Sequence, residues 1–206
     1  MIDDICEKID KLTINDDKFN KLVNILNNKQ YDHKKIILEE VTLKDAHIYC
    51  KINNIIGQIS GSIIENFIIV KNKMVKNNSK NLYGDAKINN KNIEIKISLG
   101  GNKTHDKFNY VQIRFNHNVD YYILTAYYIC INNVKNGGEL YIFIINKEDM
   151  KNLIIKYGGI AHGTKIKKLI IGDLTNEILT EFSLRPKYND KCWIELLNFR
   201  VYEINI

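Results

Sequence analysis

The stretch Tyr83–Ser98, YGDAKINNKNIEIKIS, decides how the chain is read. Ile93, Ile95 and Ile97 alternate with Glu94 and Lys96. A period of two marks a strand with one face in the core. Asn89-Asn90 ahead of it suits a tight turn, because asparagine tolerates positive φ. Tyr83–Ile88 and Asn92–Ser98 are therefore expected to pair as an antiparallel hairpin. In that hairpin the isoleucines face inward, and Glu94 and Lys96 share the opposite, exposed face. The turn brings Asp85 back beside Glu94, so two carboxylates and an ammonium meet on one surface.

Two neighbouring carboxylates repel unless something neutralises them, and a divalent cation does so well. Hard oxygen ligands select Mg²⁺ or Mn²⁺ over zinc. A bound Mg²⁺ polarises a phosphate oxygen and acidifies a water. Lys96 beside it can orient that water and offset charge developing on the phosphate. Upstream of the hairpin, Gly57 breaks the chain and Gln58 to Val70 reads as a helix. Ile59, Ile63, Ile64, Phe67 and Ile68 are expected to face a core. Glu65 stands alone among them and is the candidate to complete the metal's outer shell through a water, or to bind a second ion.

Gly84-Asp85-Ala86-Lys87 followed by Ile93-Glu94-Ile95-Lys96 resembles the signature of the PD-(D/E)xK nucleases. The order of elements around it is also similar: a helix with Glu65, the hairpin, then YVQIR and DYYIL. The resemblance is to a small, single-domain type II restriction endonuclease and spans roughly residues 57 to 145. It implies an α/β fold with a restriction-endonuclease-like core, a central mixed β-sheet flanked by helices. It also implies Mg²⁺-dependent cleavage of double-stranded DNA, with Mn²⁺ as a substitute, by a homodimer. By position, Asp85 and Glu94 correspond to the metal ligands and Lys96 to the catalytic lysine. The chain departs from the signature at Gly84, where the family name has proline.

Beyond the hairpin, the loop GGNKTHDK carries Lys103 and His105, both candidates for gripping a phosphate. YVQIRF, DYYILTAYYICI and ELYIFIIN read as strands. Gln112 and Arg114 are expected on one face of the first, opposite Val111, Ile113 and Phe115, within reach of the scissile phosphate or a base. Tyr121, Tyr122, Tyr127 and Tyr128 read as strand core. Asn146 can cap a helix that runs to about Tyr157 and ends at Gly158. The Gly-rich loop GGIAHGTK offers His162, Thr164 and Lys165 to a DNA groove, and Arg185 is a further candidate for phosphate or guanine. An apolar strand is expected around Leu169–Ile171, and Trp193 is assigned to the core.

Upstream, Phe19, Leu22, Val23 and Leu26 make a helical apolar stripe, and Thr42 with Asp45 reads as a helix start. The organisation expected is one nuclease domain over 1–206. A helical part spans about 1–70, the catalytic core about 57–145, and a C-terminal part 146–206 carries the recognition loop.

Composition bounds the alternatives. The chain has 206 residues, with 45% hydrophobic and 26% charged, ordinary for a globular protein able to bury a core. Lys and Arg number 30 against 24 Asp and Glu, a net charge of +6. The excess is compatible with nucleic acid but carries little weight in a chain rich in Lys, Asn and Ile. Cys6, Cys50, Cys130 and Cys192 lack C-x-x-C spacing, and the five histidines lack H-E-x-x-H, so nothing points to zinc. No Walker A sequence and no G-x-S-x-G appear, which leaves no case for a nucleotide cofactor or a serine hydrolase. No apolar run approaches a membrane span, and the acidic start MIDDICEKIDKL has no signal-peptide core. An intracellular protein without a membrane partner is expected. The rival readings are a catalytically silent DNA-binding module of the same fold and a DNA-repair or junction-resolving nuclease.

Overall fold

In a computed structural model of the chain, Asn89 and Asn90 take φ of 47° and 62°, a pair that matches a two-residue hairpin turn. They join β2 (Ala86–Ile88) to β3 (Lys91–Ser98), with Ala86 opposite Ile93 and Ile88 opposite Lys91. The hairpin expected from the alternating isoleucines is therefore present. The structure describes residues 41–52, 55, 57–78, 82–101, 105–130, 132–133, 136–161, 169, 174 and 181–206. The stripe at Phe19–Leu26, Lys103, and the loop with His162, Thr164 and Lys165 lie outside the described residues, as does most of the strand expected at Leu169–Ile171.

Two helices precede the hairpin. Helix α1 (Leu43–Ile52) starts with a capping box: the Asp45 N–H donates to Thr42 Oγ1 at 3.1 Å, and the Thr42 N–H donates to Asp45 Oδ2 at 2.8 Å. Helix α2 (Gln58–Lys71) follows Gly57 and buries Ile64, Phe67, Ile68 and Ile69. Ile59, expected in the core, sits in the first turn of α2 and is 66% exposed. A short strand β1 (Val75–Lys76) then pairs with β2.

The remaining strands are β4 (Tyr110–Ile113), β5 (Tyr121–Tyr128) and β6 (Glu139–Asn146). Helix α3 (Lys147–Tyr157) follows, capped by Asn146, whose Oδ1 accepts from the Asp149 N–H at 2.9 Å. Gly158 ends it, but with φ −85°. Here the glycine supplies space, since a Cβ would lie 2.7 Å from the Ile154 carbonyl oxygen. Then come β7 (Gly159–Ile160), β8 (Phe182–Leu184), α4 (Lys191–Leu196) and β9 (Arg200–Val201). The C-terminal stretch thus holds both a short helix and a last strand, and Trp193 is 1% exposed in the core.

Six strands form a central mixed sheet in the order β1-β2-β3-β5-β6-β9. β3 and β5 run parallel, with Glu94 opposite Tyr122 and Lys96 opposite Leu124; the other pairs are antiparallel. β4 leaves this sheet and pairs with β8, which pairs with β7, in a separate three-stranded sheet. One core fills the side of α1 and α2, with Ile93, Ile95, Ile123 and Ile142 from the central sheet. The other holds α3, α4 and the small sheet against Tyr122, Leu124, Tyr141 and Phe143. The architecture is α/β with a mixed central sheet flanked by helices. Among the described residues no helix is long and apolar enough to cross a membrane. Cys50, Cys130 and Cys192 are free thiols.

Candidate active site

The site is built where β2 and β3 part. Gly84 takes φ +71°, and a Cβ there would lie 2.5 Å from the Ile93 carbonyl oxygen. Proline, whose ring fixes φ near −65°, has no place at this position. The departure from the nuclease signature is thus a property of the local backbone. Asn77 braces the turn: its N–H donates to the Asp85 carbonyl at 2.9 Å, and its Nδ2 donates to the Tyr83 carbonyl at 2.9 Å.

The Asp85 N–H donates to the Ile93 carbonyl at 2.8 Å, and Asp85 Oδ2 accepts the Ile95 N–H at 2.7 Å. The carboxylate thereby occupies a rung of the ladder and is fixed beside Glu94. On the face opposite the isoleucines, Lys96 Nζ donates to Glu94 Oε1 at 2.5 Å. Asp85, Glu94 and Lys96 are brought together as the alternation predicts. The exposed face does not survive: Glu94 is only 7% exposed. The reason is topological. β3 lies inside a six-stranded sheet, and its neighbour β5 sets Tyr122 directly beside Glu94.

Burial has an electrostatic consequence. The Asp85 carboxyl is pushed up to about 6, first by desolvation and then by the Glu94 charge; the Ile95 N–H, Lys96 and Lys76 act in the other direction. Glu65 is also raised, by burial and then by Asp85. Helix α2 therefore does bring Glu65 within electrostatic reach of the pair. Lys76 Nζ holds Glu65 Oε1 at 3.2 Å and donates to Asn66 Oδ1 at 2.6 Å. Lys76 is a member of the site that the sequence reading missed. Its signal is present only in the pairing of β1, which sets Lys76 opposite Ala86, one residue from Asp85.

A divalent cation suits this donor set. Two adjacent carboxylates, one of them held above the usual carboxylate range by burial and then by its neighbour's charge, are the arrangement that a hard cation relieves. Among the described residues, no three Asp, Glu, His or Cys side chains close into a ready cage. Asp85 and Glu94 are the two residues that could hold such a cation, with Glu65 within electrostatic reach of Asp85.

No family model matches the chain, and neither does any curated protein or solved structure. The functional argument therefore rests on the residues themselves.

The other candidates are dispersed. Gln112 takes φ 56° at an irregularity between Tyr110 and Ile113, which removes Val111 from the face expected for it, while Gln112 and Arg114 both stay off the buried side of Ile113 and Phe115. Tyr110, Ile113 and Phe115 point into the core, and Val111 does not. Gln112 is exposed, whereas Arg114 donates through Nε and Nη2 to Glu181 Oε1 at 2.9 and 2.5 Å. His105 is 5% exposed, and neither ring nitrogen has a hydrogen-bond partner among the described residues. Burial and then Lys51 hold its pKa below the ordinary value. The ring expected to reach a phosphate from this loop is therefore turned inward. Arg185 donates to the Ala161 carbonyl at 2.9 Å and to Asn109 Oδ1 at 3.2 Å, tying the small sheet to the loop before β4 rather than entering the site.

Proposed function

We propose that the chain is a metal-dependent endonuclease that hydrolyses phosphodiester bonds of double-stranded DNA, with a restriction-endonuclease-like core. The observation that carries this reading is the convergence of Asp85, Glu94 and Lys96 at the parting of β2 and β3. There one carboxylate is locked by the Ile95 N–H, and the other is paired to the lysine at 2.5 Å.

Asp85 and Glu94 are the residues that would hold a Mg²⁺ ion, or Mn²⁺ in its place. When bound, the ion supplies a polarised phosphate oxygen and an acidified water. The chain's own residues do the rest. Lys96 presents a fixed ammonium beside the carboxylates, where it offsets negative charge that grows on the phosphate as the ester bond breaks. Glu65, braced by Lys76, orients water at the margin. Tyr122 and the aromatic layer behind it exclude bulk solvent, which strengthens these interactions. Site-specific cleavage by a two-fold homodimer on a palindrome is the form of this activity that the sequence resemblance favours.

The test is incubation of the purified chain with phage DNA and Mg²⁺, followed by a gel. Discrete bands are expected, and a smear assigns a nonspecific nuclease. Glu94→Ala should abolish cleavage while leaving duplex binding largely in place, because most contacts to DNA are made to its backbone by other residues. Cleavage by Glu94→Ala near the parent rate overturns the assignment.

A further inference from the structure

We propose that Leu82 and Tyr83, with the exposed face of β1 and β2 beside them, form a ledge that contacts the bases of the duplex next to the phosphate under attack. The inference rests on the nuclease reading and extends it from the reacting phosphate to the bases beside it.

The register of the hairpin fixes which side is open. Residues directly opposite each other in paired strands share a face. Ala86 is opposite Ile93, and both are buried on the side of α1 and α2. Lys87 and Asn92 therefore belong to the other face, the one that carries Glu94 and Lys96. Val75, opposite Lys87, belongs to it too. On that face α3, α4 and the small sheet pack over β5 and β6, and no residue of β1, β2 or β3 joins their core. The two outer strands carry the sheet about 10 Å past β3. Val75 and Lys87 are both exposed there.

The turn that leads into Asp85 is apolar and exposed. Leu82 is 57% exposed and Tyr83 is 49%. With Val75 they are three of the seven large hydrophobic side chains exposed among the described residues, gathered within nine residues of chain. Single exposed apolar side chains are ordinary, whereas a cluster of them marks a contact surface. Hydrogen bonds hold this cluster out. The Leu82 carbonyl accepts from the Asn118 N–H at 2.6 Å, and the Asn118 carbonyl accepts from Asn92 Nδ2 at 2.9 Å, which ties Leu82 to the site face of β3. The Tyr83 and Gly84 carbonyls accept from Asn77 Nδ2 at 2.9 and 3.3 Å. An apolar pair braced in this way is pre-organised, so contact with a partner carries little ordering cost.

Position and chemistry select the occupant. Tyr83 is two residues from Asp85, so their Cα atoms are at most about 8 Å apart. A nucleotide whose phosphate meets the carboxylates brings its sugar and base alongside. Every base has an apolar face that an aromatic side chain can take whatever the sequence. Leucine and aromatic side chains that press into a base step unstack it and bend the duplex. Lys87, on the same face, suits the backbone phosphates of that strand.

The experiment uses the full chain and a fluorescein-labelled random-sequence duplex, with Ca²⁺ in place of Mg²⁺, and reads anisotropy over a salt series. Leu82→Ser and Tyr83→Ser change exposed side chains and should keep the melting temperature within about 2 °C of the parent. Both should bind several-fold more weakly at an unchanged salt slope, because a base contact releases no counterion; Lys87→Gln should instead lower the slope by about one unit. Tyr202→Ser alters an exposed tyrosine just past β9, at the opposite edge of the sheet, and should bind as the parent does. Tyr83→Trp gives a direct reading, because the chain's one tryptophan, Trp193, is buried. Unlabelled duplex should quench the emission of Tyr83→Trp and leave that of the parent unchanged. If the parent binds and cuts, the Leu82 and Tyr83 variants match its affinity and Tyr83→Trp is not quenched, the ledge is wrong and the nuclease reading stands. A loss of affinity in Tyr83→Ser that comes with a smaller salt slope makes the contact one to phosphate and also overturns the ledge. If the parent binds but cuts no DNA with Mg²⁺ or Mn²⁺, and the variants lose affinity at constant slope, the ledge stands and the nuclease reading falls. If the parent binds no duplex, both fall.

Discussion

The two faces of the central sheet are filled on different principles. Toward α1 and α2, β3 contributes Ile93 and Ile95, β5 contributes Ile123, and β6 contributes Ile142, a mainly aliphatic layer. Toward α3, α4 and the small sheet, β5 and β6 contribute Tyr122, Leu124, Tyr141 and Phe143, but β3 contributes Glu94 and Lys96. The aromatic layer stops at β3, and charge begins there. One strand therefore carries aliphatic core on one side and the candidate site on the other. The pleat, which turns successive side chains to opposite faces, lets neighbours in sequence be changed with unlike outcomes.

The largest effect expected tests the aliphatic side. Ile95→Ala removes a 3% exposed side chain from a filled layer and should lower stability by about 3 kcal/mol, read by urea unfolding. At a temperature where it stays folded, this variant should cut DNA within a few-fold of the parent. A loss of cleavage larger than the loss of stability breaks the division between the faces.

Next is Lys96→Ala, one residue along and on the other side. If Lys96 stabilises charge formed during the reaction, single-turnover cleavage should fall by at least about 10²-fold while affinity holds. A variant that binds ten-fold worse yet cuts normally when saturated makes Lys96 a phosphate clamp.

The smallest effect concerns pH and sets the two sides against each other. Asp85 binds its proton more tightly folded than unfolded, with its pKa raised from 3.8 to about 6. Between those values the folded state carries more protons, so this group's contribution to stability falls as pH rises and is lost above about 6. His47 lies on the other side of the sheet, with its ring bonded to the Leu43 carbonyl at 2.8 Å and to Thr125 Oγ1 at 2.9 Å. Its pKa is lowered from 6.5 to about 4 by burial. The unfolded state carries more protons there, so its contribution rises with pH across the same window. Asp85→Asn should therefore gain about 2 kcal/mol over the parent above pH 6 and nothing below pH 4, in melts without divalent cation. His47→Gln should remove the opposite slope. If Asp85→Asn parallels the parent at every pH, the crowding of Asp85 by Glu94 is not felt.

The hairpin was legible because its signals are local. Alternating isoleucines set the strand faces, two asparagines supplied two positive-φ residues, and Asn146 and Thr42 carried caps that bond within three residues. What the sequence left hidden is set by partners distant in the chain. Periodicity marks Tyr110–Ile113 as a strand but does not name its neighbour, so its departure to pair with β8 was not visible. The bulge at Gln112 shifts the faces of that strand, and no proline or glycine announces it. Lys76 reaches the site through strand pairing, and its own neighbours in sequence give no hint of it. His105 and Arg185 were chosen by residue type, and the fold turns both to holding itself together or into its interior.

Among the described residues, the outermost strands of the central sheet, β1 and β9, are two residues long, whereas β3, β5 and β6 inside it run for eight. A sheet that ends in such stubs offers an incoming strand almost no ladder to extend. It is thereby guarded against the edge-to-edge growth that leads to fibres, even though its inner strands are long, apolar and rich in β-branched residues.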